Sequence, residues 1–275
     1  MASKIENTRF WQASSLGGVE LLRAQYYQQR FTPHVHDSFV ISVIESGAQR
    51  FRHRGSEHVA PIGSVVLINP DELHTGATAH HEGWRYRGFY PTLTQLAEVL
   101  AELDIRFNGS PRFISSVLTD SDVARAFSNV HLFAEHEASE LLQQTAWREA
   151  TLMLFQRYAG IGSVAAPGNE PVAVRRAREI LLERLAFPPS LEELASSVGL
   201  SPFHFARVFR KATGLPPHSW VTQKRLACAL VLLKQGLAPS RVAAELGFAD
   251  QSHLTRQFKQ AFGIGPGAYR SAMVG

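Results

Sequence analysis

At 275 residues, 45% hydrophobic and 19% charged, the chain has the composition of a soluble globular protein with room for two ordinary domains. No run approaches the ~20 apolar residues a membrane span needs, residues 1–9 hold no apolar signal core, and the single Cys228 excludes an internal disulfide, so a cytoplasmic, non-membrane protein is expected. The net charge of +4 is uneven: residues 170–275 carry 14 Lys/Arg against 7 Asp/Glu, while the first 169 carry 14 against 17, and a basic half is the footprint of a surface that neutralises phosphates.

The first ~90 residues read as β-rich. The apolar run 39–44 ends at Glu45-Ser46-Gly47-Ala48, a turn signal, and 49–53 resumes as a partner strand. Val59-Ala60-Pro61-Ile62-Gly63 precedes a strand over 65–68, and 84–90 alternates bulky residues as a further strand. Strands of this length and spacing predict a small antiparallel barrel or sandwich. Helical spacing begins after Pro91, with Leu93, Leu96, Ala97, Leu100 and Leu103 on one face. Caps at 119–122 start a second helix that reaches about Glu137. A third, over 139–159, presents Leu142, Ala146, Trp147, Ala150, Leu154 and Tyr158. These middle helices pack on the barrel or offer a dimer surface. Residues 160–171 are rich in Gly, Pro and small residues and mark a domain boundary. The expected division is 1–160, a linker at 161–171, and 172–275.

Within the last hundred residues one pattern occurs twice. The first copy places Ala195, Gly199, Ser201, Phe205, Arg207, Phe209, Arg210, Gly214 and Pro217; the second places Ala243, Gly247, Asp250, Leu254, Arg256, Phe258, Lys259, Gly263 and Pro266. From Ser201 and Asp250 onward the copies stay in register. In the first, Ser190 and Glu193 form a capping box, Leu191, Leu194, Ala195 and Val198 form the buried face, and Gly199 makes the turn. Ser201 then caps a second helix with Pro202 at its first position, and Phe205, Val208 and Phe209 point inward. Phe203, His204, Ala206, Arg207, Arg210 and Lys211 are left on other faces. In the second copy Val242, Ala243, Leu246, Leu254, Phe258 and Phe262 pack, leaving Gln251, Ser252, His253, Thr255, Arg256 and Lys259 outward. Each copy reads as a helix-turn-helix, and a helix over 219–235 joins them. Arg suits guanine edges, Gln adenine edges, and Ser or Thr phosphates or bases.

Over roughly 172–272, including Gly263-Ile264-Gly265-Pro266-Gly267-Ala268-Tyr269-Arg270, the sequence resembles the AraC/XylS family of bacterial transcription regulators. Gly265 stands where that family usually has Thr. The resemblance implies seven helices in two subdomains, whose recognition helices enter successive major-groove segments on one DNA face, roughly 34 Å apart. By position it places Phe203, Ala206 and Arg207 at the DNA from the first helix, and Gln251, Ser252, His253 and Arg256 from the second.

His34-Val35-His36, Gly47, Pro61-Ile62-Gly63 and His74 resemble the cupin-like effector-binding domain found upstream in many such regulators, over roughly 20–90. Enzymatic cupins add an acidic metal ligand; here its position falls in the apolar 39–41 run, so no metal and no cofactor are expected. His34 and His36 share a face by period two. His34, His36, Arg50, Arg52, His74, Trp84 and Tyr86 are the candidate effector residues: arginine suits a carboxylate or phosphate, and sugars stack on Trp and Tyr. The fold expected is therefore α+β and multidomain: a small antiparallel β-barrel with helices, then an all-α tandem helix-turn-helix domain. The function implied is a DNA-binding regulator, by resemblance an activator, acting as a homodimer with RNA polymerase under a sugar, amino acid or organic acid effector, and not an enzyme. Two alternatives stay open: a metal-dependent cupin enzyme fused to a DNA-binding domain, and a regulator whose barrel serves only for dimerisation.

Overall fold

The computed structural model describes residues 6–102, 105, 111–136, 138–160 and 171–274. Contacts divide the chain into two compact units, Met1–Val164 and Ala165–Gly275. The expected linker lies outside the described residues except for Pro171, as do Leu103 and Glu137.

In the first unit, strands β1 (Asn7–Ala13), β2 (Val19–Tyr26), β3 (Arg30–His34), β4 (Val40–His53), β5 (Ser56–Pro61), β6 (Val65–Ile68), β7 (His74–Thr78) and β8 (Trp84–Tyr90) pair antiparallel throughout. The order β1-β2-β8-β4-β6 continues to β10 (Val117–Leu118), while β5 and β7 also join β4, and β3 joins β7. Residues from β2, β4, β5, β6 and β8 meet in one apolar cluster of Leu22, Ala24, Tyr26, Ile44, Phe51, Ala60, Val66, Ile68, Trp84 and Tyr86, so the sheet curls around an interior.

Two expectations are corrected here. The turn expected at 45–48 does not form; β4 runs unbroken from Val40 to His53. Gly47, at φ +68°, follows a register shift between Ile44 and Ser46 against β8, and this bulge bends the strand instead of reversing it. Residues 49–53 therefore pair with β5, not with 39–44. The lack of a side chain at Gly47 also lets the carbonyl of Gly83 approach; a Cβ there would lie 2.0 Å from that oxygen.

The helices α1 (Leu93–Glu102), α2 (Ser121–Glu135) and α3 (Glu140–Tyr158) cover the other sheet face, where Leu21, Ile41, Val43, Leu67 and Phe89 meet Leu96, Phe127, Trp147 and Leu154. The Asp120 carboxylate caps α2 through the N–H groups of Asp122 and Val123. On α1 the buried face is Leu96, Val99 and Leu100, with Leu93 and Ala97 exposed. Leu142 on α3 is likewise exposed, and Gln143 is buried in its stead.

An ionic network ties α2 to the sheet. Arg87 on β8 is buried and donates to Glu45 and to Glu135 of α2, and Glu135 also accepts from Arg23 of β2 at 2.9 Å. The arginine Nη1 donates to Nδ1 of His131 at 2.9 Å, which leaves the other ring nitrogen to donate to the Leu22 carbonyl at 3.1 Å. Burial first, and the Arg87 charge second, lower the His131 pKa to about 3. Below the ordinary value of ~6.5, the unfolded chain takes up a proton that the folded one refuses until about pH 3, so stability falls with pH across that window. His131→Gln is expected to make the urea midpoint fall less steeply between pH 7 and pH 5 than in the unsubstituted chain. An equal slope in both proteins contradicts this assignment.

The second unit holds α4 (Val172–Glu183), α5 (Leu191–Ser197), α6 (Pro202–Thr213), α7 (Pro217–Lys234), α8 (Pro239–Glu245), α9 (Gln251–Phe262) and α10 (Pro266–Val274). Val174, Ala177, Leu181, Leu194, Ala195, Phe205, Phe209, Trp220 and Val221 form the core of its first half.

Candidate nucleic-acid interface and effector site

Each repeated pattern builds a helix, a glycine turn and a capped second helix. Ser190 accepts from the Glu193 N–H, the Glu193 carboxylate accepts from the Ser190 N–H, and the resulting capping box starts α5. Leu194 and Ala195 are buried, whereas Leu191, expected inside, is exposed. Ser201 accepts from the His204 N–H to cap α6, and Asp250 accepts from the His253 N–H at 2.7 Å to cap α9. The αL glycines Gly214 and Gly263 end both helices. Phe205 and Phe209 in one, Leu254 and Phe258 in the other, are fully buried four and eight residues after the caps. Those anchors rotate the residues between them toward solvent.

Phe203, His204, Arg207, Arg210 and Lys211 are exposed on α6, and Gln251, Ser252, Arg256 and Lys259 are exposed on α9. Arg207 and Arg256 stand at the same place, six residues after their caps. Phe203 leaves 80% of its surface in solvent, the largest exposure of any bulky apolar residue described. Ala206 and Thr255 are half-buried. His253 is also half-buried: its Nδ1 accepts from the Ala249 N–H at 3.4 Å and its ring stands edge-on to Phe248, so it shapes the turn as well as bordering the outer face.

In the first unit the structure gathers His34, His36 and His74. Antiparallel pairing of β3 with β7 sets His34 opposite His74, and the three imidazoles offer ring nitrogens all within 4.8 Å of one another. Tyr90 stands 5.3 Å from the His36 ring, and Phe31 lies 6.0 Å from that of His34. Burial lowers His34 and His36 well below the usual histidine value, with the neighbouring imidazoles adding to the effect. His74 falls to about 4, again through burial, so all three are neutral at pH 7. Trp84 and Tyr86 are buried in the same interior, stacked 6.5 Å apart.

Arg50 and Arg52 do not join them. Strand alternation puts Phe51 and His53 inside and both arginines on the exposed face, where Arg50 pairs with Glu57 at 3.2 Å. The expected arginine grip on an anion is therefore absent from the interior face. Sequence reading also missed Glu72. Its carboxylate accepts from His53, Asn69, Arg54 and Arg112 (in β9, Arg112–Phe113). Burial raises its pKa, but the hydrogen bonds and charges of His53 and Arg54 outweigh burial and bring it to about 2.

Residues 16–151 match the family model of the AraC-like ligand binding domain, and residues 194–272 match that of a helix-turn-helix domain. The HTH-type transcriptional regulator YbfI of Bacillus subtilis is 28% identical over 242 residues, 86% of each chain. The arabinose operon regulatory protein of Salmonella typhimurium is 23% identical over 271 residues, 94% of this chain and 93% of that one. The chain belongs to the AraC family of transcriptional regulators.

This AraC-type regulator thus has an N-terminal ligand-binding domain followed by a helix-turn-helix DNA-binding domain. Its fold is that of ToxT from Vibrio cholerae, with a TM-score of 0.52 at 12% identity over 99% of this chain and all of that one. No helix among the described residues is long and apolar enough to cross a membrane.

Of the interior aromatics, Tyr90 was within reach of the sequence: it continues the Trp84, Tyr86 alternation, with Gly88 between them leaving room for its ring. Glu72 had no such local signal, because its partners lie up to 40 residues away.

The two turns of the regulator differ in one testable respect. Gly199 (φ +70°) and Gly247 (φ +72°) both occupy the left-handed region. A Cβ on Gly199 meets nothing within 4 Å, whereas one on Gly247 would sit 2.0 Å from the Ala186 carbonyl oxygen. Alanine at either pays about 1–2 kcal/mol for the backbone. Gly247→Ala is expected to cost on the order of 2 kcal/mol more than Gly199→Ala in urea unfolding. Equal losses contradict the tight approach.

Proposed function

We propose that this regulator binds operator DNA through α6 and α9, with Arg207 and Arg256 as paired base-reading residues. The observation that carries the proposal is the equivalence of those two exposed arginines, each six residues after a capped helix start, on the basic part of the chain. Phe203, Gln251 and Ser252, in the first turns of the same helices, complete the reading surface. His204, Arg210, Lys211 and Lys259 serve the phosphates, and Ala206, His253 and Thr255 border the contact.

The N-terminal unit, taken as 1–160 and joined through 161–171 to 172–275, senses a small molecule at the His34, His36 and His74 cluster, with Trp84 and Tyr86 as apolar walls. Arg50 and Arg52 stay outside this site because both face solvent. The protein acts in the cytoplasm as a homodimer, and by family resemblance as an activator that positions RNA polymerase. It catalyses no reaction: where enzymatic cupins carry an acidic ligand, this chain has the buried run Phe39, Val40 and Ile41. For the effector to switch the protein, its affinity must differ between two states of the chain.

Arg256→Ala is expected to weaken operator binding by ~1–3 kcal/mol and to relax sequence preference at one position, and Arg207→Ala to do the same one helical turn away. A mobility-shift titration at fixed salt reads both. Unchanged affinity together with unchanged preference rejects the pairing.

A further inference from the structure

We propose that His34, His36 and His74 form a binding site for one divalent transition-metal ion of the zinc, cobalt or nickel type. The ring nitrogens they offer lie within 4.8 Å of one another. Nitrogen ligands about 2.05 Å from a tetrahedral ion sit roughly 3.3 Å apart, so small side-chain rotations close the set around an ion.

Two of the three imidazoles are already oriented for this. The His34 Nδ1 lies 2.8 Å from the Thr32 carbonyl oxygen, and the His74 Nδ1 lies 3.0 Å from that of Glu72. A carbonyl accepts and cannot donate, so each Nδ1 carries the proton and each Nε2 presents its lone pair. Metal-bound histidines are held in this way, with the second ring N–H given to a backbone carbonyl. The Glu72 backbone is itself fixed, because its side chain accepts from His53, Asn69, Arg54 and Arg112. His53, whose ring is 6.5 Å from His74, is not a ligand: its Nδ1 is bonded to Ser116 and its Nε2 to Glu72, both at 2.9 Å.

Three imidazoles without a carboxylate leave coordination positions open for exogenous donors. An ion here selects effectors with chelating oxygens and restores the grip on an anionic metabolite that Arg50 and Arg52 do not supply. Metal binding requires neither DNA nor metabolite, so its failure leaves the DNA-binding reading intact, and the reverse holds as well.

The test uses the untagged full-length chain, stripped with chelator and titrated with Zn(II) alone by calorimetry. One ion per chain is expected, with affinity reduced at least about tenfold by His74→Ala or His36→Gln and unchanged by His81→Ala, which alters an exposed histidine outside the cluster. X-ray absorption of the zinc-loaded unsubstituted chain is expected to count three imidazoles, a readout that depends on no variant's folding. Absence of stoichiometric binding, binding that survives in a folded His36→Gln chain, or a spectrum with fewer than three imidazoles overturns the proposal.

Discussion

Arg225, midway along the helix that joins the two repeats, fixes how one repeat sits on the other. Its Nε donates to the Leu185 carbonyl at 3.0 Å and its Nη2 to the Ala186 carbonyl at 3.1 Å, while its guanidinium carbon stands 5.8 Å from the centre of the Phe248 ring. Leu185 and Ala186 follow α4 in the first half of the unit, and Phe248 lies in the turn of the second helix-turn-helix. One side chain thus binds three elements that are far apart in sequence. The guanidinium also satisfies two carbonyls beyond the end of α4, where no intrahelical donor is available. Gly247 completes the junction, since the absence of a Cβ admits the Ala186 carbonyl. A DNA reader with two helices gains from such a constraint: a fixed relation that matches the groove spacing raises the effective concentration of the second helix once the first is bound.

The first unit solves a comparable problem with charges. Arg87 stands between Glu45 and Glu135 with His131 beside it, and this network joins the curled sheet to α2. Buried ion pairs contribute little net stability but are costly to break, because removing one partner strands the other charge. Glu72 has a similar role around the histidine cluster. It connects β4, the segment before β7, and β9, and β9 pairs with β11 (Ala159–Gly160) at the end of α3. His74 touches Glu72 at the backbone, since its Nδ1 lies 3.0 Å from the Glu72 carbonyl oxygen.

How much of this was legible in the sequence depended on how local the cause was. The helix-turn-helix copies could be read because caps, turn glycines and buried Phe or Leu residues recur at fixed short offsets. Ser190 with Glu193, Ser201 with Pro202, and Asp250 all do what their positions predict. The barrel was legible only as a class. β2 escaped notice because Leu21 packs toward the helices and Leu22 toward the interior, and burial on both faces erases the polar–apolar alternation by which strands are recognised. The turn expected at 45–48 failed because a glycine in a strand marks a bulge as readily as a reversal, and only the pairing of β8 decides between them. In the candidate effector site, the histidines were named from the resemblance to a cupin-like domain and Trp84 and Tyr86 from strand alternation, and these five residues lie in one interior. Glu72, His53 and Arg112 were not named, since their roles arise from contacts across 19 to 40 residues of chain.

Hydroxyl-radical footprinting of the full-length chain on its operator tests most directly whether the Arg225 junction holds two readers in one fixed relation. Two protected stretches are expected on the same face of the duplex, their centres about one helical turn apart. A single protected stretch, or two on opposite faces, would contradict that fixed relation.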